Sequence, residues 1–178
     1  MIVVRDDLIP KEVQEYLHMI VFGSEDINAM LPLTCKYETT ARDGTNPLPV
    51  SFQHVFKSST VISEWYGNFS KIPQTVLRNL DINLVDILQA RLFITVPHKT
   101  TLKHYAPHID LPDEHLALIY YVNDSDGDTV FFNDNNKIIE SVSPKKGRVV
   151  LFDGHHLHAG GFPSNNPRCI VNYNLIVS

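Results

Sequence analysis

Apolar positions recur in two rhythms along this chain, and the change falls near residue 85. In the first half the spacing is helical. Val13, Leu17, Ile20 and Val21 fall on one face of a helix that opens at Pro10, carries Glu12 in its first turn and ends near Gly23. A short apolar run at 2–4 precedes it and reads as an edge strand. Val61, Ile62, Trp65, Tyr66 and Phe69 form a second stripe, predicting a core-facing helix over 59–69, and a third helix follows over 73–80. Between them, Gly44, Asn46, Pro47 and Pro49 mark a loop flanked by short strands at 34–37 and 50–56.

From residue 85 the period becomes two. Strands are predicted over 85–96, 115–123, 128–133, 137–142, 148–152 and 168–177. Leu116, Leu118, Tyr120 and Val122 share one face, and Asp134-Asn135-Asn136 is a hairpin signal. Helices first and then closely spaced short strands predict an α+β, mainly β fold. The economical form is a double-stranded β-helix (jelly roll) with the N-terminal helices packed on one sheet, since it brings distant strands to one mouth. The 178 residues fit a single domain, with 1–84 as helical and loop support and 85–178 as the jelly-roll core.

Composition narrows the function classes. The apolar fraction of 43% is ordinary for a globular chain. A formal charge of −5 argues against a dominant phosphate-backbone footprint, so no nucleic-acid partner is expected. Two cysteines without a CxxC fit a reducing compartment. No signal-peptide pattern and no apolar run of about 20 residues is present, so a cytoplasmic protein without a membrane partner is expected. Histidine is the informative residue. Of nine, six lie between His104 and His158.

His108-Ile109-Asp110 places an imidazole and a carboxylate two residues apart, on the same side of an extended segment. A second histidine from another strand would complete the 2-His-1-carboxylate set that holds non-haem Fe(II) and leaves open coordination positions. The downstream run from Asp153 to Gly161 offers His155, His156 and His158. His156 and His158 share parity, and parity does not choose between them. Arg168 opens the last strand ten residues after His158. A buried guanidinium fork there suits the far carboxylate of a dicarboxylic cosubstrate.

Together these elements resemble the Fe(II)/2-oxoglutarate-dependent dioxygenases, and the prolyl-4-hydroxylase-like branch above all. The resemblance rests on His108 and Asp110, Tyr120-Tyr121-Val122-Asn123, the Lys146–Phe152 strand, His158 and Arg168, and covers about residues 88–178. It implies His108, Asp110 and His158 as catalytic iron ligands, and it favours His158 over His156 because a basic residue about ten positions later grips 2-oxoglutarate. Arg168 is then the grip, with Tyr120 adding a hydrogen bond. Asn172 and Asn174 share the parity of Arg168 and would line the same cavity. The implied reaction consumes 2-oxoglutarate and O2, releases succinate and CO2, and hydroxylates a substrate, a prolyl residue or a small molecule, with ascorbate as a reductant. One departure stands out: Asp126-Gly127-Asp128-Thr129 carries Asp126 where such proteins often have glycine.

Arg91 and Thr95 share parity with Phe93 and would face the cavity, while His98, Lys99, His104 and Tyr105 sit where the substrate entrance would be. The segments 38–56 and 97–107 are the expected substrate-facing loops. The competing reading is a non-catalytic cupin-like metal or ligand-binding protein. A metal-dependent isomerase or hydrolase on a cupin barrel is disfavoured, since His156-Leu157-His158 comes too late in the chain for its three-histidine, one-glutamate pattern.

Overall fold

The computed structural model describes residues 1–36 and 49–178; Tyr37 and the loop residues Gly44, Asn46 and Pro47 lie outside the described residues. In chain order the elements are β1 (Ile2–Arg5), α1 (Lys11–Phe22), β2 (Thr34–Lys36), β3 (Ser51–Ser58), β4 (Thr60–Val61), α2 (Tyr66–Phe69), α3 (Lys71–Asn79), β5 (Leu84–Thr95), β6 (Leu116–Tyr121), β7 (Thr129–Phe132), β8 (Ile138–Val142), β9 (Val149–Asp153), β10 (His158–Gly160) and β11 (Arg168–Val177).

A large antiparallel sheet runs β1-β9-β6-β11-β5-β3-β2, with β4 paired to β3. A small sheet runs β10-β7-β8. Isolated antiparallel bridges, His104 to Gly161 and His108 to His158, lay the 104–108 segment alongside β10. The four strands β9, β6, β11 and β5 thus face a layer of β8, β7, β10 and the 104–108 segment. That is the expected double-stranded β-helix.

Period-two alternation on β6 divides the core. Leu118, Tyr120 and Val122 join the cluster that also holds Leu17, Ile20, Val76 and Leu77 of the helices. Ala117, Ile119 and Tyr121 point the other way, to Phe131, Val142, Phe152 and Ile170 between the sheets. The helices therefore cover one face of the large sheet, and the small sheet covers the other. Only the second face holds the histidines discussed below.

α1 ends at Gly23, whose φ of 76° suits glycine and whose N–H caps the Met19 carbonyl at 2.8 Å. Gln14 rather than Val13 is buried on this helix, its Nε2 donating to the Ile9 carbonyl at 2.7 Å, while Val13 is exposed. The helix expected over 59–69 is not formed as such. Ser59 takes a left-handed φ of 63°, and Thr60–Val61 turns back to pair with Ser58 and Lys57. Val61 and Ile62 are exposed, and only 66–69 are helical. The β-branched run Thr60-Val61-Ile62 disfavours helix, and β3 offers it an edge to pair with. The last helix starts two residues earlier than expected, so Pro73 lies in its first turn, where its missing N–H costs nothing.

Candidate metal centre

His108 and His158 are joined back to back through the main chain. The His108 N–H donates to the His158 carbonyl at 3.0 Å, and the His158 N–H returns the bond at 3.1 Å. Such a pair sets both side chains on one face, and the ring centroids lie 4.7 Å apart. Asp110, two residues on, reaches the same spot. Its Oδ1 is 3.8 Å from His108 Nε2 and its Oδ2 is 3.9 Å from His158 Nε2. One donor atom from each residue falls within 4.8 Å of the others, the one such group among the described residues.

The hydrogen bonds fix which nitrogens are offered. His108 Nδ1 faces the Ala106 carbonyl at 3.1 Å, and His158 Nδ1 faces the His156 carbonyl at 3.0 Å. A carbonyl only accepts, so each Nδ1 carries a proton and each ring turns its Nε2 toward Asp110. Burial holds the His158 imidazole below its ordinary pKa, against the pull of Asp110. Burial pushes the Asp110 carboxyl up, but bonds from Asn172 and Asn174 and the two imidazoles outweigh it, and its pKa lies below the usual range. The group is a carboxylate with two imidazoles, the donor set that suits Fe(II) and leaves positions free for other ligands. His158 is buried while the His108 side chain is half exposed, so the centre opens on the His108 side.

The other histidines of the cluster go elsewhere. His155 bonds the Pro112 carbonyl at 2.9 Å, and the His156 ring packs edge-on against Phe131.

Arg168 is buried under the small sheet. Its Nε donates to the Gly127 carbonyl at 2.8 Å and its Nη2 to Thr129 Oγ1 at 2.7 Å. The Tyr121 hydroxyl donates to the same Thr129 oxygen at 2.6 Å, and the guanidinium sits 6.0 Å over the Tyr121 ring. No carboxylate pairs with it among the described residues. Burial pulls its pKa down, and no buried guanidinium loses its proton for that reason; it calls instead for an anion. Glycines make the room. A Cβ on Gly127 would stand 2.8 Å from the Gly161 carbonyl, and one on Gly160 3.2 Å from Arg168 Nη1.

Two expectations are corrected. Tyr120 does not face Arg168. It is fully buried on the helix side, its hydroxyl has no partner among the described residues, and Tyr121 takes the place beside the arginine. The signal was available, because Leu118, Tyr120 and Val122 read as one apolar face and alternation sends Tyr121 to the other. Asn172 and Asn174 do line the same side of the sheet, but both amides are spent on Asp110 Oδ2, at 2.8 and 3.0 Å, and so hold that carboxylate in place. Thr129 was not singled out by sequence. Asp126 has a structural use: its carboxylate accepts the N–H groups of Ser164 and Asn165 and pins the loop before Arg168.

Arg91 pairs in register with Asn172 and Thr95 with Arg168, so both are on the site face. The Tyr105 ring packs on Phe162 and His104 on Phe132.

Residues 96–175 match the family model of the 2OG-Fe(II) oxygenase superfamily. A search of curated protein sequences returned no match. Solved structures share the fold. A Pseudomonas putida prolyl-4-hydroxylase aligns over 98% of this chain and 91% of its own, with a TM-score of 0.62 at 13% identity. A viral collagen prolyl hydroxylase from Paramecium Bursaria Chlorella virus-1, solved with 2-oxoglutarate, aligns over 98% and 94%, with a TM-score of 0.60 at 15% identity. A Trichoplax adhaerens prolyl hydroxylase, in complex with a hypoxia inducible factor peptide fragment, aligns over 98% and 83%, with a TM-score of 0.64 at 12% identity. The matched segment encloses His108, Asp110, His158 and Arg168, so the part of the chain that carries the candidate centre is similar to the 2OG-Fe(II) oxygenase superfamily.

Proposed function

We propose that this chain hydroxylates its substrate with Fe(II) held by His108, Asp110 and His158 and with 2-oxoglutarate held by Arg168. The observation that carries the reading is a conjunction. Three metal donors lie within 4.8 Å, and a buried guanidinium without a counter-ion opens on the same face of the same sheet. When bound, the iron and cosubstrate supply the oxidative chemistry: 2-oxoglutarate and O2 become succinate and CO2, and a substrate C–H becomes C–OH.

The protein's part is placement. His108 and His158 offer their Nε2 atoms, and Asp110 adds the negative charge that a divalent ion needs. Asn172 and Asn174 stop the carboxylate from rotating. Arg168 takes the distal carboxylate of 2-oxoglutarate, with Thr129 and Tyr121 fixing the guanidinium. Ile170, buried between Arg168 and Asn172 on the same face, gives the cosubstrate chain an apolar floor. A prolyl group is the first substrate class to try, on the strength of prolyl hydroxylases that share the fold.

Succinate release tests this. Purified protein given Fe(II), ascorbate, 2-oxoglutarate and air should form succinate, even slowly and uncoupled. His158→Ala should reduce it to background, and His156→Ala should leave it. Succinate lost in His156→Ala but kept in His158→Ala would contradict the ligand set.

A further inference from the structure

Arg91 stands one strand across from the metal carboxylate's support. It pairs with Asn172 on β11, and Gln89 pairs with Asn174, the two residues whose amides hold Asp110. Neighbouring strands are about 4.8 Å apart, and paired residues share a face. The Arg91 side chain thus leaves the sheet on the face that carries the centre, one strand across from Asn172. The same face continues onto β3, where Val55 pairs with Arg91 and Gln53 with Phe93. All four are half-buried.

Among the described residues no carboxylate matches the charge at Arg91. Lys57, Lys145, Lys146 and Arg148 each meet a carboxylate, whereas Arg91 meets none among the described residues and donates only to the Gln89 side-chain oxygen. A half-buried cation without an anion loses solvation with no return, and the rest of the molecule is acidic, with a formal charge of −5. Arg168 already provides for the distal carboxylate of the cosubstrate, four residues along β11.

We propose that Arg91 is a specificity-determining residue that receives an anionic group of the substrate, a carboxylate above all. Gln89 holds the guanidinium in position, and Val55 and Phe93 flank it as apolar walls. The substrate class is then a compound whose oxidised carbon lies near a carboxylate. Two sources share that chemistry: the main-chain carboxylate of a free or C-terminal amino acid, and an acidic side chain next to the target in a peptide. This rests on the metal and cosubstrate sites described above, so the test must read those sites separately.

Mn(II) and the unreactive 2-oxoglutarate analogue N-oxalylglycine load the centre without turnover, and Mn(II) broadens the NMR lines of any small molecule held beside it. The probes are N-acetyl-L-proline against N-acetyl-L-prolinamide, and the peptide amide N-acetyl-Asp-Pro-NH2 against N-acetyl-Asn-Pro-NH2. The wild-type protein should broaden at least one acidic probe at about tenfold lower concentration than its neutral partner, as a charge-assisted hydrogen bond requires. The pair that shows the preference identifies the source. Arg91→Gln should remove the preference while Mn(II) and N-oxalylglycine affinities stay unchanged. Equal broadening within both pairs, or a preference that survives Arg91→Gln, would overturn the proposal. So would a loss of N-oxalylglycine affinity in Arg91→Gln, which would assign Arg91 to the cosubstrate. Failure of the wild type to bind Mn(II) at all would instead strike the proposed metal site.

Discussion

At the scale of single residues, what separates function from packing here is which face of a strand a side chain takes. Adjacent Tyr120 and Tyr121 make the clearest case. Tyr121 sits between the sheets and bonds Thr129, the oxygen that also receives Arg168. Tyr120 lies among Leu118, Val122 and the helices, its hydroxyl without a partner among the described residues, and burial raises its pKa far above the ordinary value. Tyr121→Phe should therefore free the Thr129 side chain and weaken 2-oxoglutarate binding, by up to about tenfold for one lost buried hydrogen bond. Tyr120→Phe should leave that affinity unchanged and hold or raise stability, because it deletes a desolvated hydroxyl that makes no bond among the described residues. Isothermal titration with 2-oxoglutarate on metal-loaded protein, with thermal melts of both variants, reads the contrast. A larger affinity loss in Tyr120→Phe would put the wrong tyrosine at the site.

Elements show where the sequence was readable. Strands with period two emerged with their faces, since one-sided burial writes itself into alternation: Leu116 to Val122 is an example. His108-Ile109-Asp110 was readable because two ligands on one extended segment need only local geometry. Strand parity could not choose among His155, His156 and His158, since that depends on which residue pairs with His108 across the sheet, a long-range contact; the choice of His158 came from the spacing to Arg168 that the family resemblance supplied. Thr60-Val61-Ile62 misled because its apolar spacing also fits a helix; the left-handed Ser59 and the open edge of β3 decided otherwise. The Asn172 and Asn174 bonds to Asp110 span more than 60 residues and left no local trace.

The edge strand carries a prediction of its own. β1 borders only β9, and Asp6 just beyond it takes a two-pronged bond from Arg148, at 2.8 and 3.1 Å, and another from Lys145. Its hydrogen bond with Arg148 is the main reason its pKa falls from 3.8 to about 2. A carboxylate with a depressed folded-state pKa adds stability that is complete above its unfolded pKa and is lost as pH falls through the folded one. The tie should hold fully above about pH 4 and fade toward pH 2. Asp6→Asn should cost about 1 kcal/mol at neutral pH, given the partial exposure of the pair, and only a fraction of that near pH 2. Urea melts of both proteins across that range check it; a difference that does not shrink between neutral pH and pH 2 would mean the loss is not electrostatic.

As a whole molecule, the chain is a double-stranded β-helix buttressed on one face by helices and open on the other at the His108 side. No helix among the described residues is long and apolar enough to cross a membrane. The fold gathers residues from four segments: 108–110, 121–129, 158 and 168–174. None is close to all the others along the chain, which is why a jelly roll can build an iron and cosubstrate site from scattered positions. The central claim is that these segments together hold Fe(II) with 2-oxoglutarate chelated to it. Anaerobic titration of the protein with Fe(II) and 2-oxoglutarate, followed by visible absorption, tests this most directly. The account predicts a weak metal-to-ligand charge-transfer band that saturates with the cosubstrate and is absent in Asp110→Ala. A folded wild-type protein that gives no band, or an Asp110→Ala variant that keeps it, would contradict the account.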